Sequence, residues 1–564
     1  MSSTRAKPSI VNRQSLITNR QTAAALLFAS CLLAAALGLY HLGHNSYWLD
    51  EAVSVRLADD PWRSFVRTIR TTEANMALYY LLLRAWVQLG DGEASVRLLS
   101  CLLGTLTVPA LYAVGARLFD RATGLAAALL LAVDTGHLWA SQEARSYALV
   151  MCLTTVSWWL LLRAADAHPG RASWIAWATY VAAAALAVYA HFYAALVLLA
   201  QAAVALWLPV RTAMPVANVT GRAEPPVKSE FEARPSAHVH DRDTGAGAPA
   251  MSDSSGARGA AAPGRISRGI VLACTVALVA LLWPLLRFLL AQPHHNIDWI
   301  GNAHQNPLLG IVSPVVHPTS VWGLAAVAAL VVVGPVAMAV AWRRVATPTR
   351  WRCAVVLLWL GVPVVVAVAT TLALAPVIDQ RYLTICLPPL ALAAAAALTH
   401  LWPPRWSLAA LLVVLALDAV SLSWYYTHLG KENWRAATAY VADRAAPGDR
   451  ILFYAPYVHI PFDLYRARSG AMRDASPLGP ARGQSLATAV AEFRTRAPRV
   501  WLVLSHADSP ACGQAIAEAF HSRFATVERH DFAHIEVHLF SGLRPPLPVQ
   551  SPTPDSIATA CPQQ

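Results

Sequence analysis

Eleven stretches of mostly apolar residues, each 17 residues or longer, constrain this chain more than any other feature: 22–42, 95–117, 122–138, 145–163, 174–190, 192–210, 268–291, 321–342, 353–375, 383–400 and 406–426. A helix of that length crosses a hydrocarbon layer about 30 Å thick, and a backbone segment inside such a layer must satisfy its own hydrogen bonds. Only 13% of the 564 residues are charged, against roughly a quarter in soluble proteins, which excludes a single water-soluble core. The first stretch lacks a small-residue cleavage site and runs straight into polar sequence, so it reads as a retained helix and not a signal peptide. Met76 to Leu89 is apolar but short and carries Arg84; it is expected to lie against the membrane as an interfacial helix.

Cytoplasmic connections retain positive charge. Arg5, Lys7, Arg13 and Arg20 therefore place the tail 1–21 inside. Alternation from there puts Arg117 and Arg121, Arg163 and Arg171, a basic linker, Arg343, Arg344, Arg350 and Arg352, and Arg405 inside as well, and it leaves the C-terminus outside. The outer connections after the first are nearly bare apart from Arg145 and Arg381. Hydropathy alone proposed the alternation, so the charge bias supports it independently. Topology thereby accounts for the net charge of +12, and nucleic-acid binding is not expected.

The expected organisation is a first membrane module, 22–210, with a long outer loop, 43–94, then a cytoplasmic linker, 211–267, and a second membrane module, 268–426. An outer α/β domain with a flexible end, 427–564, completes the chain. The linker is rich in Pro, Gly, Ser and charge and has too little apolar surface to order itself. In the tail, apolar runs at 451–454, 500–504 and 535–540 read as strands, and 434–444 and 485–494 as helices. Six of eight cysteines lie in or beside apolar segments without CxxC spacing, so no zinc or redox signature is present. Cys512 and Cys561 lie in polar sequence, where they could pair.

Charged residues at a membrane boundary are costly unless hydrated or partnered. Trp48-Leu49-Asp50-Glu51 follows the first span on the outside. One carboxylate there could serve as general base on an acceptor, with its neighbour holding a divalent cation; equally, the pair could simply favour a helix N-terminus. Ser141-Gln142-Glu143-Ala144-Arg145-Ser146-Tyr147 lies at the mouth of the third and fourth spans, close to Asp134 and His137. Glu143 could complete a metal site and Arg145 receive a phosphate oxygen, or the two could form an interfacial ion pair. Asp379-Gln380-Arg381-Tyr382 sets another cation at the outer boundary, where a lipid phosphate or Asp379 itself would compensate it. His191, Tyr193, His294, His295 and His304 are further outer polar groups, with His294 and His295 singled out because they sit together. Lys431 and Arg435 open the tail and could meet anionic headgroups or substrate, or only anchor it.

Several of these motifs recur together in a known family. The run Trp48 to Val55, Leu78-Tyr79-Tyr80-Leu81-Leu82-Leu83-Arg84, Ser95 to Tyr112, Arg117-Leu118-Phe119 and Ser141 to Tyr147 resembles bacterial members of the dolichyl-phosphate-mannose protein mannosyltransferase family. These belong to the C-type glycosyltransferase superfamily, to which the lipid A aminoarabinose transferase is related. With the eleven spans and the α/β tail, the fold class expected is a mainly α, polytopic GT-C type of about eleven transmembrane helices with a small C-terminal α/β domain. The resemblance implies inverting transfer of a sugar from a polyprenyl-phosphate donor to a protein, lipid A or cell-envelope glycan, at the outer face of the cytoplasmic membrane. Asp50 would be the base, with Glu51 beside it and Glu143 assisting or, like Glu51, holding a metal. Arg145 and Arg381 would hold the donor phosphate. Glu73, Tyr79, Gln142, Tyr147, His191, His294, His295 and Tyr382 are accessory candidates. Relatives carry His-Pro-Pro or Lys-Pro-Pro before the Leu-Tyr-Tyr helix; this chain has Asn75-Met76-Ala77, with Glu73 near enough to substitute.

The alternatives are a lipid or sugar flippase without transfer chemistry and a scaffold whose tail does the binding. A flippase would place charge near the bilayer midplane and often show repeats. No repeat is evident here, and Asp418 is one of few mid-span charges.

Overall fold

A computed structural model describes residues 19–167, 170–207, 266–291, 321–344, 346–373, 377–379, 381–428, 430–469, 499–505, 510–521 and 524–544. It is a mainly helical, multi-pass membrane protein with a small C-terminal sheet. Among the described residues, nine helices are long and apolar enough to cross a membrane: Arg20–Leu39, Glu93–Leu118, Tyr147–Ala165, Arg171–Ala190, Arg268–Ala291, Trp322–Ala341, Thr349–Ala373, Tyr382–His400 and Pro404–His428. Almost all of the expected linker lies outside the described residues, as do His294, His295, His304, the expected helix 485–494 and Cys561.

The expected span 122–138 is broken. Arg121–Val133 and Thr135–Ser141 are bent 64° apart, because the Asp134 carboxylate accepts the His137 N–H at 2.7 Å and so starts a new helix where the first one ends. The expected span 192–210 is a 14-residue helix, Ala194–Trp207, which at 1.5 Å per residue reaches only about 21 Å. His191, extended, closes the preceding helix. Residues 76–89 form one main turn-flanked helix, Ala77–Trp86, with Tyr79, Tyr80 and Leu83 buried and Leu81 and Leu82 exposed.

Between helices in lipid, close packing of small residues substitutes for a hydrophobic driving force. Gly115 and Gly124 face one another across two helices, and a Cβ on Gly124 would come within 2.7 Å of the Tyr112 carbonyl. Gly334 lies against the backbone of Ala393 and Ala394 in the same way, in the alanine-rich and almost wholly buried helix Leu387–His400.

Beyond His428 the chain forms strands β1 (Arg450–Tyr454), β2 (Val500–Leu504), β3 (Phe524–Phe532) and β4 (Ile535–Leu543) in the order β1-β2-β4-β3, with β1 and β2 parallel and β4 antiparallel to both neighbours. Trp434–Arg444, His459–Ser469 and Pro510–His521 are its helices. β3 was not anticipated. It is an edge strand, largely exposed, so no alternation of buried side chains marks it. This domain docks on the first long loop by polar contacts. Tyr465 takes the Tyr47 N–H at 2.8 Å and donates to Glu93 at 2.6 Å, Arg435 pairs with Glu93 at 2.7 Å, and Arg468 pairs with Asp91 at 3.0 Å.

Candidate active site

Trp48 is the N-cap of helix Leu49–Asp59, so Asp50 and Glu51 fall in its first turn, where the helix dipole favours anions. Consecutive helical side chains diverge by about 100°, and here the two carboxylates part company. Glu51 is 0% exposed. Arg97 clasps it through Nε and Nη2 at 2.8 and 2.6 Å, the Ala144 N–H donates to it at 2.9 Å, and Lys431 Nζ lies 3.3 Å away. Burial alone would raise the Glu51 pKa, but the Arg97 guanidinium and the Lys431 ammonium more than reverse this and hold it below the usual carboxylate range.

Asp50, with a side chain 27% exposed, faces the other way. Its Oδ2 lies 2.7 Å from Arg381 Nη1 and 3.7 Å from Arg145 Nη2. Arg145 also donates to the Tyr80 hydroxyl at 3.2 Å and the Ser54 hydroxyl at 3.3 Å, and its buried Nε finds no hydrogen-bond acceptor among the described residues. Tyr80 in turn donates to Glu73 at 3.0 Å, so Glu73 joins the cluster through a tyrosine. Arg381 is steadied by Asp379, whose Oδ1 accepts the Arg381 N–H at 2.8 Å and lies 3.4 Å from its Nε. Its guanidinium stands 5.0 Å over the Trp48 ring.

Glu143 is enclosed between Trp48 Nε1 at 2.6 Å and Lys431 Nζ at 2.7 Å. Burial raises its pKa, Lys431 opposes this, and the nearby Glu51 charge reinforces it, leaving the net shift upward. Next to the cations, Tyr147, His191, Tyr193 and Tyr382 pack ring against ring, with the His191 ring 4.8 Å from Tyr382 and 6.3 Å from Tyr147. Burial and then the Arg145 charge push the His191 pKa down to about 3, so its imidazole is neutral at neutral pH. Asn75 Nδ2 lies 3.3 Å from His191 Nε2, and Asn75 Oδ1 accepts the Phe192 N–H at 3.1 Å. The segment that departs from the family pattern is thus tied to the aromatic cluster.

Asp50, Glu51, Glu73, Glu143, Arg145 and Arg381 converge in one polar cluster, with Tyr147, His191 and Tyr382 at its edge. Two of the accessory candidates point elsewhere. Tyr79 meets Ser100 at 3.0 Å. Gln142 donates to the carbonyls of Gly38 at 3.0 Å and Tyr40 at 2.8 Å, closing the end of the first helix, and accepts the Tyr425 hydroxyl at 2.8 Å. Arg97 was missed as a site residue. A lone cation inside an apolar span must find a partner, and that was the signal for it. Lys431, read from the sequence as a contact for anionic headgroups or substrate or only an anchor, lies 286 residues past Arg145 and 50 past Arg381 in the chain, yet it sits between two acids.

Glu51 and Glu143 do not fit a divalent ion as a pair. Arg97 and Lys431 already compensate both charges, and N–H donors from Ala144 and Trp48 take further lone pairs. Among the described residues, no group of three or more His, Cys, Asp or Glu is arranged to hold a metal.

No curated protein matches the chain. Among solved structures, ArnT from Cupriavidus metallidurans bound to undecaprenyl phosphate is 12% identical over 92% of this chain and 97% of that one, with TM-score 0.49. The archaeal oligosaccharyltransferase AglB from Archaeoglobus fulgidus, in complex with an inhibitory peptide and a dolichol-phosphate, is 11% identical over 92% of this chain and 74% of that one, with TM-score 0.47. The Archaeoglobus fulgidus oligosaccharyltransferase in complex with Zn and sulfate is 12% identical over 85% and 67%, with TM-score 0.45. The family model described as dolichyl-phosphate-mannose-protein mannosyltransferase matches residues 72–220, a segment that holds Glu73, Glu143, Arg145 and His191 but not Asp50, Glu51 or Arg381. Over that segment, the chain is similar to the dolichyl-phosphate-mannose-protein mannosyltransferases.

Proposed function

We propose that the chain is an inverting glycosyltransferase that moves a sugar from a polyprenyl-phosphate donor to an acceptor at the outer face of the cytoplasmic membrane. The observation that carries this reading is the part-exposed Asp50 carboxylate held between the guanidiniums of Arg381 and Arg145. In the reaction the phosphate of the donor takes the two guanidinium forks, including the free N–H of Arg145, and Asp50 turns to the acceptor. Asp50 removes the acceptor proton while the acceptor oxygen or nitrogen attacks the anomeric carbon on the side away from the phosphate. The sugar–phosphate C–O bond breaks with its electron pair on the phosphate, and the anomeric configuration inverts.

The donor phosphate is a singly charged diester, and the departing polyprenyl phosphate gains a second negative charge. Two preorganised guanidiniums therefore bind the transition state more tightly than the ground state, which is what accelerates a reaction. No general acid is required for so good a leaving group. The neutral, aromatic surroundings of His191, Tyr147 and Tyr382 lower the local dielectric and strengthen those charge interactions. The lipid tail would run along the membrane-facing helices, and the acceptor would arrive from the side of the C-terminal domain.

The test is turnover of labelled undecaprenyl-phosphate sugars, supplied one at a time, by the full-length protein and by Asp50→Asn. Loss of a general base costs about 10²- to 10⁴-fold in rate. Turnover by Asp50→Asn at the wild-type rate would remove Asp50 as the base.

A further inference from the structure

We propose that Lys431 is a positioning residue through which the C-terminal domain completes the candidate site, by holding Glu143 so that Trp48 stays seated beneath Arg381. The proposal rests on the assignment of Arg381 to the donor phosphate. Four contacts in series carry it. Lys431 Nζ lies 2.7 Å from one Glu143 oxygen, and the other Glu143 oxygen accepts the Trp48 indole N–H at 2.6 Å. The Trp48 ring lies 5.0 Å below the Arg381 guanidinium, and Arg381 reaches Asp50 at 2.7 Å.

Lys431 is itself held from the C-terminal side. The turn between β3 and β4 grips the flanking residues, His534 Nε2 lying 3.1 Å from the Gly430 carbonyl and the Asn433 N–H donating to Ala533 O at 3.1 Å. Glu432 accepts the Leu49 N–H at 3.3 Å and, through its carbonyl, the Ser46 hydroxyl. The segment 430–433 is therefore pinned to the sheet on one side and to the Asp50-bearing helix on the other. Any displacement of the domain moves the Lys431 ammonium relative to Glu143.

Charge balance explains why the residue is a cation. The groups facing Glu143 are Lys431, Glu51, Arg97, the Trp48 N–H and the Tyr425 hydroxyl. With Lys431 present, two carboxylates meet two cations. Without it one buried carboxylate is stranded, which costs stability until the group takes up a proton or moves towards water. Lys431 is only 10% exposed and already shared between two acids, so it acts on the site through Glu143 and not by direct contact with substrate.

The experiment compares wild type, Lys431→Met and Lys431→Met/Glu143→Gln as full-length protein in detergent. Undecaprenyl phosphate is the binding probe, read by native mass spectrometry, and backbone hydrogen exchange is followed over residues 48–57. Lys431→Met should bind the lipid phosphate between about tenfold and a hundredfold more weakly, the range for losing a partner that orients a ligand-holding group, and should exchange faster over 48–57. The double variant should recover most of the affinity and the slow exchange, because the glutamine oxygen still accepts the Trp48 N–H and no charge is stranded. Wild-type affinity in Lys431→Met, or a double variant as weak as the single one, overturns the proposal. If wild type itself binds no undecaprenyl phosphate, the donor assignment fails separately; exchange over 48–57 that is unchanged in Lys431→Met then still overturns the positioning role.

Discussion

Replacing Arg97 by Met should be the most damaging single change at the candidate site. Arg97 is 2% exposed, and all five of its N–H donors are engaged. Two meet Glu51; the others meet the carbonyls of Leu42 at 3.0 Å, Asn45 at 2.8 Å and Ser46 at 2.9 Å. Met fills a similar volume but strands a buried carboxylate and three carbonyls. Breaking a buried ion pair from one side costs about 3–5 kcal/mol, and with Lys431 still 3.3 Å from Glu51 the lower end, about 3 kcal/mol, is expected. Equilibrium unfolding in mixed detergent micelles measures it. Arg97→Met/Glu51→Gln should recover more than half of the loss, because most of the penalty is the stranded charge. The pH dependence has a definite sign. The folded pKa of Glu51 is depressed, so its contribution to stability is complete above the unfolded value of about 4.3 and is lost as pH falls below that towards the folded value. Arg97→Met should lack this acid-dependent component. A loss below about 1 kcal/mol, or a double variant no better than the single one, refutes the reasoning.

Arg381→Gln removes a charged donor from the proposed phosphate fork and should weaken undecaprenyl phosphate binding by about 1.5–3 kcal/mol, measured by native mass spectrometry; unchanged affinity would detach Arg381 from the donor. Gln142→Ala should lower stability by about 1–3 kcal/mol without altering lipid phosphate affinity, because its amide closes the first helix through Gly38 and Tyr40 and does not face Asp50. A selective loss of lipid binding in that variant would contradict the cap assignment.

Much of the architecture was legible in the sequence because the membrane reads hydropathy locally. A span is a run of consecutive residues, and nine of the eleven expected spans have a long helix close to their bounds, while 122–138 is broken at Asp134 and 192–210 holds only a 14-residue helix. The strands at 451–454 and 500–504 were legible as compact apolar runs for the same reason. β3 was not, since most of its side chains are exposed and no run or alternation of apolar residues marks it. Asp134 was seen in the sequence, but whether it would cap a new helix or ride within one depended on which neighbours packed around the bend.

From the sequence, alternation of the expected spans assigns Asp50, Glu143, Arg145 and Arg381 to one side, and the structure gathers all four in one polar cluster. Only the tertiary structure decided which partner each group took. The helical turn sends Asp50 to Arg145 and Arg381 and its neighbour Glu51 to Arg97. Gln142, one residue before Glu143, is turned to the end of the first helix. Lys431, which the sequence offered as a headgroup or substrate contact or only an anchor, lies between Glu51 and Glu143. These pairings join residues dozens to hundreds of positions apart. Hydropathy and residue spacing are properties of neighbours along the chain, whereas an ion pair depends on the packing of separate helices.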